Sequence, residues 1–221
     1  MELKNISYII DDKEILSNIT TKFEKNGINL IIGPNGSGKS TLLKILYQIN
    51  KQTKGDINNN KSLSYMGQYN SIFHKVNLEY FLKLNRYLKT GELKLDSYTN
   101  HIIELFSLKS FLSQSLTSLS GGERQKAILA SVFLLEKNYV LLDEPFSYLD
   151  ISAKLKLSKI IEEEFKNKTL IIVTHNLNIF KNVKKTIALK NGKIFFDDKN
   201  IDNNNLEKLF DIEGSNYFTQ K

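Results

Sequence analysis

The sequence predicts an α/β fold in which buried strands deliver chemically active turns, with an antiparallel β unit at its start and a helical lobe set into it. Three observations carry that prediction. The apolar run "INLIIG" passes through "GPNGSGKST" into "KSTLLKILYQI", a strand, a glycine-rich loop and a helix. Two later runs, "YVLLDEP" and "TLIIVTH", read as buried strands, and each ends on an acid or a histidine. From about Tyr69 to Glu136 the pattern is helical.

Taken in order, "ELKNISYII" and "ILSNITTKF" read as strands either side of the turn "DDK". "INLIIG" is a buried strand ending at Gly33. In the helix that follows, Leu42, Leu43, Leu46 and Ile49 share one face. "NKQTKGDINNNKS" is polar and turn-rich and reads as a loop; "LSYMGQ" is a short strand ending near Gln68. "LEYFLKLNRYLKTG" and "SYTNHIIELFSL" are helical. "SLTSLSGGERQKA" opens a further helix, and "ISAKLKLSKIIEEEF" is an amphipathic one. "TIALKNGKIFFDD" reads as a hairpin turning at Asn191-Gly192, and "NIDNNNLEKLFDI" as a loop and short helix. The expected division is residues 1–68 and 137–200 as catalytic core, 69–136 as helical lobe and 201–221 as tail.

The chain has 221 residues, enough for one domain with a substantial core, and its charged content of 25% is that of a globular protein. With no Cys, neither a disulfide nor a thiolate metal site can exist. "MELKNISYIIDD" lacks a basic-then-apolar leader, and "AILASVFLL" falls short of the roughly 18 apolar residues of a spanning helix. A cytoplasmic protein is expected. The net charge is +7, but only Arg86 and Arg124 are arginine. Arginine is the usual reader of guanine edges and bidentate phosphates, so a Lys- and Asn-rich solvated surface explains the charge and no nucleic acid is expected.

"GPNGSGKS" fits G-x-x-x-x-G-K-[ST] between a strand and a helix. Gly33, Pro34, Asn35, Gly36, Ser37 and Gly38 let the backbone curl so that successive N–H groups point at phosphate oxygens. The helix starting near Gly38 adds its positive dipole end. Lys39 is placed to bridge β- and γ-phosphates, Ser40 to bind Mg²⁺, and Thr41 completes the run. Asp143, at the carboxyl end of a strand, is the expected second Mg²⁺ contact; Glu144, one residue on, faces elsewhere and suits a general base or water-orienting role. His175 is placed to sense the γ-phosphate, and the Gln68 amide to reach Mg²⁺ or the attacking water. An acidic N-cap, a structural His and a surface Gln are the plain alternatives for these residues taken singly. His74 and His101 have no such context. The two prolines, Pro34 and Pro145, both fall inside these motifs.

"SLTSLSGGERQKA" raises a question, because a chain with one phosphate loop has a second glycine-softened helix start. Together with the first loop it makes the sequence resemble the nucleotide-binding domain of ABC ATPases over nearly its whole length. "GPNGSGKST" resembles Walker A, "YMGQ" the Q-loop, "LSGGERQ" the ABC signature, "YVLLDEP" Walker B, "SYLD" the D-loop with Asp150, and "VTH" the switch histidine. The resemblance implies a P-loop NTPase (RecA-like) core with an antiparallel β subdomain and an inserted α-helical subdomain. It implies ATP and Mg²⁺, with Tyr8 stacked on adenine and Ile15 packed on the ring. It also implies a head-to-tail pair of chains around two ATP molecules, in which Ser120, Gly121, Gly122 and Glu123 contact the neighbour's nucleotide. Arg124, beyond the glycines, is expected to make structural contacts.

The flanks "LDISAKLKLSKII", "THNLN" and "NNLEKLFDI" are similar to those of ATPases that drive uptake of metal chelates such as siderophores, haem or cobalamin. That resemblance implies a permease partner and a place on the cytoplasmic face of the membrane. The alternative readings are a soluble ABC ATPase acting in a non-transport role such as iron–sulfur cluster assembly, and the ATPase of an exporter. The sequence departs from the family at Ser131, near which an Arg is common, at Asn176, where Asp is usual, and in the short stretch 51–61.

Overall fold

A computed structural model describes residues 1–58, 62–67 and 76–211. Six strands form the main sheet: β3 (Gly27–Ile32), β5 (Leu63–Met66), β6 (Tyr139–Asp143), β7 (Thr169–Val173), β8 (Val183–Lys190) and β9 (Lys193–Asp198). Their order is β5-β6-β7-β3-β8-β9, parallel except for β9. All of β6 and β7 is buried, as is β3 beyond its first residue. Such strands carry no polar alternation because both faces of a parallel sheet are covered. Leu30, Ile32, Leu142 and Ile172 point to one apolar cluster, and Ile31, Leu141, Ile171 and Val173 to another.

The second cluster is closed by α1 (Lys39–Leu46) and by a separate antiparallel sheet of β1 (Glu2–Ile10), β2 (Lys13–Lys22) and β4 (Lys54–Asn58), ordered β2-β1-β4. The β1–β2 turn has Asp11 and Asp12 both in the left-handed region, at φ 46° and 61°, which matches the twist of a tight hairpin. Asn191 and Gly192 do the same for β8–β9, as expected. The first cluster is closed by α2 (Leu78–Thr90), α3 (Ser97–Leu105), α4 (Gly121–Leu134) and α5 (Ile151–Glu164), with α6 (Asn203–Phe210) at its edge.

Two expectations need correction. Residues 54–58, read as loop, form β4. "KGDIN" is too polar to announce a strand, but Ile57 pairs with Leu3 and packs on the apolar cluster. Pairing with the open edge of β1 outweighs the weak local preference. Ile49 does not share the buried face of α1: the helix ends at Leu46, Gln48 turns left-handed at φ 65°, and Ile49 is 56% exposed. Residues 68–75, with Gln68 and His74, lie outside the described residues.

The helical lobe is tied by one cation. Arg86 on α2 is buried; its Nε donates to Asp96 Oδ2 at 2.7 Å, and its Nη1 donates to Glu136 and, at 3.1 Å, to Leu134 O. It also lies 4.9 Å from the centre of the Tyr98 ring. One guanidinium thus joins α2, the cap of α3 and the carboxyl end of α4. Arg86→Met removes the charge and leaves two acids and a carbonyl facing each other. The expected loss is about 2–4 kcal/mol, read as a lower urea midpoint with unchanged slope. A loss under about 0.5 kcal/mol is what a solvated surface pair would give.

Candidate functional site

Five of the six described α-helices start at a side chain that accepts from their own first turn: Asn77, Asp96, Ser120, Asp150 and Asp202. The exception is α1. Its N-cap is Gly38, at φ 98°, with no side-chain cap. A helix start left open in this way offers its N–H groups to an external anion. The loop before it has no room for side chains at two places. A Cβ on Gly33 would lie 2.1 Å from Leu189 O, and one on Gly38 would lie 2.5 Å from Leu16 Cδ2 and 3.1 Å from Ile15 O. Pro34 is half-buried, while Asn35 and Gly36 form the exposed tip.

Lys39 folds back over this loop, and its Nζ donates to Gly33 O and Pro34 O, both at 2.8 Å. Only 7% of the residue is exposed, and burial lowers its pKa against the pull of Glu144 and Asp143. The Ser37 hydroxyl is buried with no hydrogen-bond partner among the described residues. Ser40 and Thr41, half-buried, sit in the first turn of α1. An uncapped helix start beside a buried ammonium has the chemistry to hold a polyphosphate.

The acids arrive on the strand beside it. Asp143 ends β6, is 1% exposed, and pairs in register with Val173 of β7, which itself neighbours β3. Glu144 then leaves the strand with φ 50°, its N–H still donating to Val173 O at 3.0 Å. The Glu144 carboxyl is 14% exposed, and its Oε1 is buried without a hydrogen bond. Burial, then the charge of Asp143, push its pKa up to about 7, against Lys39 and the His175 amide, which lower it. His175 follows β7 and places Nε2 3.2 Å from Glu144 Oε1. Burial and then Lys39 lower the His175 pKa, so the ring is neutral at pH 7. Lys39, Asp143, Glu144 and His175 therefore converge at the carboxyl ends of three adjacent parallel strands, where open α/β sheets bind ligands.

The other expected residues are placed as follows. Tyr8, half-buried, stands opposite Leu16 in the β1–β2 ladder; Ile15 on β2 sets its carbonyl against Gly38 and Gly192. The antiparallel sheet thus abuts the phosphate cradle through Ile15 and Leu16. Ser120 caps α4: its Oγ accepts from Glu123 N–H at 3.3 Å, and Glu123 Oε2 accepts from Ser120 N–H at 2.9 Å. The Glu123 carboxylate is engaged in this capping box, which holds its pKa down. Ser120 and Gly121 are exposed. The turn packs on Tyr148 and Leu149, whereas the phosphate cradle packs on Leu16 and Leu189. Arg124 donates to the carbonyls of Leu116, Thr117 and Leu119, fixing the approach to Ser120 as expected. Asp150 caps α5 through Ala153 N–H at 2.8 Å. His101 lies at the surface, 3.7 Å from Glu164.

Two residues were missed. Tyr65, on β5 beside β6, buries its hydroxyl without a partner among the described residues. Burial, then Asp143, push its pKa up to about 12. Gln125 on α4 is buried and reaches the carbonyls of Glu144 and Pro145. A polar residue next to the apolar stretch of α4 was the available signal for it.

A family model described as ABC transporter matches residues 16–147. The zinc import ATP-binding protein ZnuC of Pasteurella multocida is 34% identical over 185 residues, covering 81% of this chain and 68% of that protein. The petrobactin import ATP-binding protein YclP of Bacillus subtilis is 29% identical over 235 residues, covering 96% and 93%. Among solved structures, the ATP-binding subunit of an ABC transporter aligns with a TM-score of 0.77 at 22% identity, covering 97% of this chain and 94% of that one. An ABC transporter assigned to the metal-chelate type, in an inward-facing conformation, aligns with a TM-score of 0.79 at 24% identity, covering 94% and 87%.

Proposed function

This chain belongs to the ABC transporter family of ATP-binding proteins, and from that premise we propose that it is the ATPase of an importer for a metal ion or metal chelate. The family match makes it an ATPase. The observation that carries the site reading is the convergence of Lys39, Asp143, Glu144 and His175 at the mouth of β3, β6 and β7.

The residues fit Mg²⁺-ATP. The cradle has an open helix start, an ammonium and, in Ser37, a buried hydroxyl without a partner among the described residues. Among the described residues no three His, Cys, Asp or Glu side chains form a metal cluster. That suits Mg²⁺, which is commonly held by one or two carboxylates with phosphates and water. Ser40 and Asp143 would hold it; Gln68, the other expected contact, lies outside the described residues. When bound, the ion neutralises phosphate charge and orients the transferred group.

The chain's own groups do the rest. Lys39 exchanges two carbonyls for phosphate oxygens, and the open N–H groups of α1 follow. Tyr8 and Ile15, on the antiparallel sheet that abuts the cradle through Ile15 and Leu16, would take the base. Glu144, with a pKa near 7, orients the attacking water and takes its proton. His175, neutral and beside Glu144, donates to the γ-phosphate or holds the carboxylate in place. Ser120, Gly121 and Gly122 are exposed or half-exposed, away from this cradle, and serve the nucleotide of a second copy. Tyr148, packed on Gly121, and Asp150, the cap of α5, would stand beside that interface.

No helix among the described residues is long and apolar enough to cross a membrane. As the ATPase of an importer, this chain would work with an integral-membrane permease and be held on its cytoplasmic face. The relatives named for zinc and petrobactin import support uptake, and the likeness to a metal-chelate transporter agrees. Purification from native membranes in mild detergent is expected to bring down an integral-membrane subunit and, with it, ATP-dependent accumulation of a metal or its chelate. Recovery with soluble assembly factors alone would overturn the transport reading.

A further inference from the structure

Gln125 stands two residues beyond the capping box of α4 and is 7% exposed. Its Nε2 donates to Pro145 O at 2.9 Å and to Glu144 O at 3.3 Å. The Glu144 carbonyl also accepts from Ser147, through N–H at 3.3 Å and Oγ at 2.9 Å. The same stretch of chain is also seated against the first turn of α4, on the face that carries Gln125. A Cβ on Gly122 would lie 3.3 Å from Leu149 Cδ2 and from Tyr148 O, and one on Gly121 3.5 Å from Tyr148 Cβ. The start of α4 and residues 144–149 are therefore one packed unit.

Glu144 needs such support. It holds a left-handed backbone at φ 50°, which is strained for a non-glycine residue and persists only where the surroundings fix it. We propose that Gln125 is a positioning residue that fixes the Glu144 turn to the helix carrying Ser120. The claim rests on the reading above, in which Ser120 serves a neighbour's nucleotide and Glu144 works on the chain's own. It adds a direct connection between the two sites. The Gln125 amide holds the backbone of Glu144 against α4; without its two hydrogen bonds the turn is free to shift and Glu144 is misaimed in its own site.

The test uses Gln125→Met, which keeps the length and removes both donors. ATP affinity and KM are expected within about twofold of wild type, with kcat lower by at least about tenfold. Mixing then assigns the residue to a site. Chains are combined before nucleotide is added. Gln125→Met with Glu144→Gln is expected to restore no activity, because the only intact Glu144 sits beside the altered residue. Ser120→Arg with Glu144→Gln is expected to restore about a quarter of wild-type activity, from one sound composite site in half of the dimers.

Recovery in the first mixture would overturn the proposal, since Gln125 would then belong to the signature turn. So would a kcat within twofold of wild type. Failure of the second mixture would sink the shared-site reading instead, and the kcat-against-KM result would still decide for Gln125. Gln125→Glu, which keeps the shape but turns oxygen lone pairs on two carbonyls, should reproduce the loss if Met disturbs the packing.

Discussion

Glu144→Gln is expected to bind ATP with near wild-type affinity and to lose turnover by roughly 10²–10⁴-fold, the range of a general base. The cradle that binds nucleotide is built from residues 33–41 and does not use Glu144. The amide is isosteric, so it leaves the left-handed turn and the Val173 hydrogen bond in place. It cannot take a proton, and the ATP-bound pair should outlive the wild-type one.

Two pH effects accompany this prediction. Wild-type kcat/KM should fall with an acid limb near pH 7, as the carboxylate is lost through its raised pKa. For stability the sign is opposite. A carboxyl whose folded pKa exceeds its unfolded value penalises the native state increasingly as pH rises from about 4.5 to 7. At pH 8 the nucleotide-free Gln variant should therefore be the more stable protein, by on the order of 1–3 kcal/mol. Thermal unfolding at pH 5 and pH 8 checks this, with the advantage present only at the higher pH. Normal turnover in the variant would remove Glu144 from the mechanism.

Ser120→Arg is expected to give a chain that binds ATP, stays monomeric and hydrolyses at least about 10²-fold more slowly. Ser120 caps α4, so the substitution costs about 0.5–2 kcal/mol of cap, and a cation at a helix start is unfavourable. Neither effect reaches the phosphate cradle, which packs on different neighbours. Mixed with Lys39→Ala, it should recover about a quarter of wild-type activity. Half the dimers are then mixed, and each holds one site with both a sound Lys39 and a sound Ser120. Weak ATP binding by the Ser120 variant alone would show instead that the turn serves its own chain's nucleotide.

Much of this site was legible in the sequence because its parts are short and local. A strand, a glycine loop and a helix declare themselves within a dozen residues, as do Asp143 and Glu144 after four apolar ones. The signature turn was readable for the same reason: Ser120 and Glu123 cap their own helix. Strand β4 was not readable. Its only strong credential is a neighbour, β1, some fifty residues earlier. Nor was the end of α1, where Ile49 continues the apolar period that the backbone abandons at Gln48.

By itself, then, the sequence determined the motif inventory, the α/β class and the two glycine-bearing helix starts. Those depend on periodicity and turn chemistry, which act over a few residues. Only the tertiary structure decided that Lys39, Asp143, Glu144 and His175 share one sheet mouth, since strand order brings together segments a hundred residues apart. It alone raised the Glu144 pKa, because burial and the nearness of Asp143 are properties of the packed site. And it alone tied Gln125 to Glu144, through backbone carbonyls that any residue carries and no sequence pattern can mark.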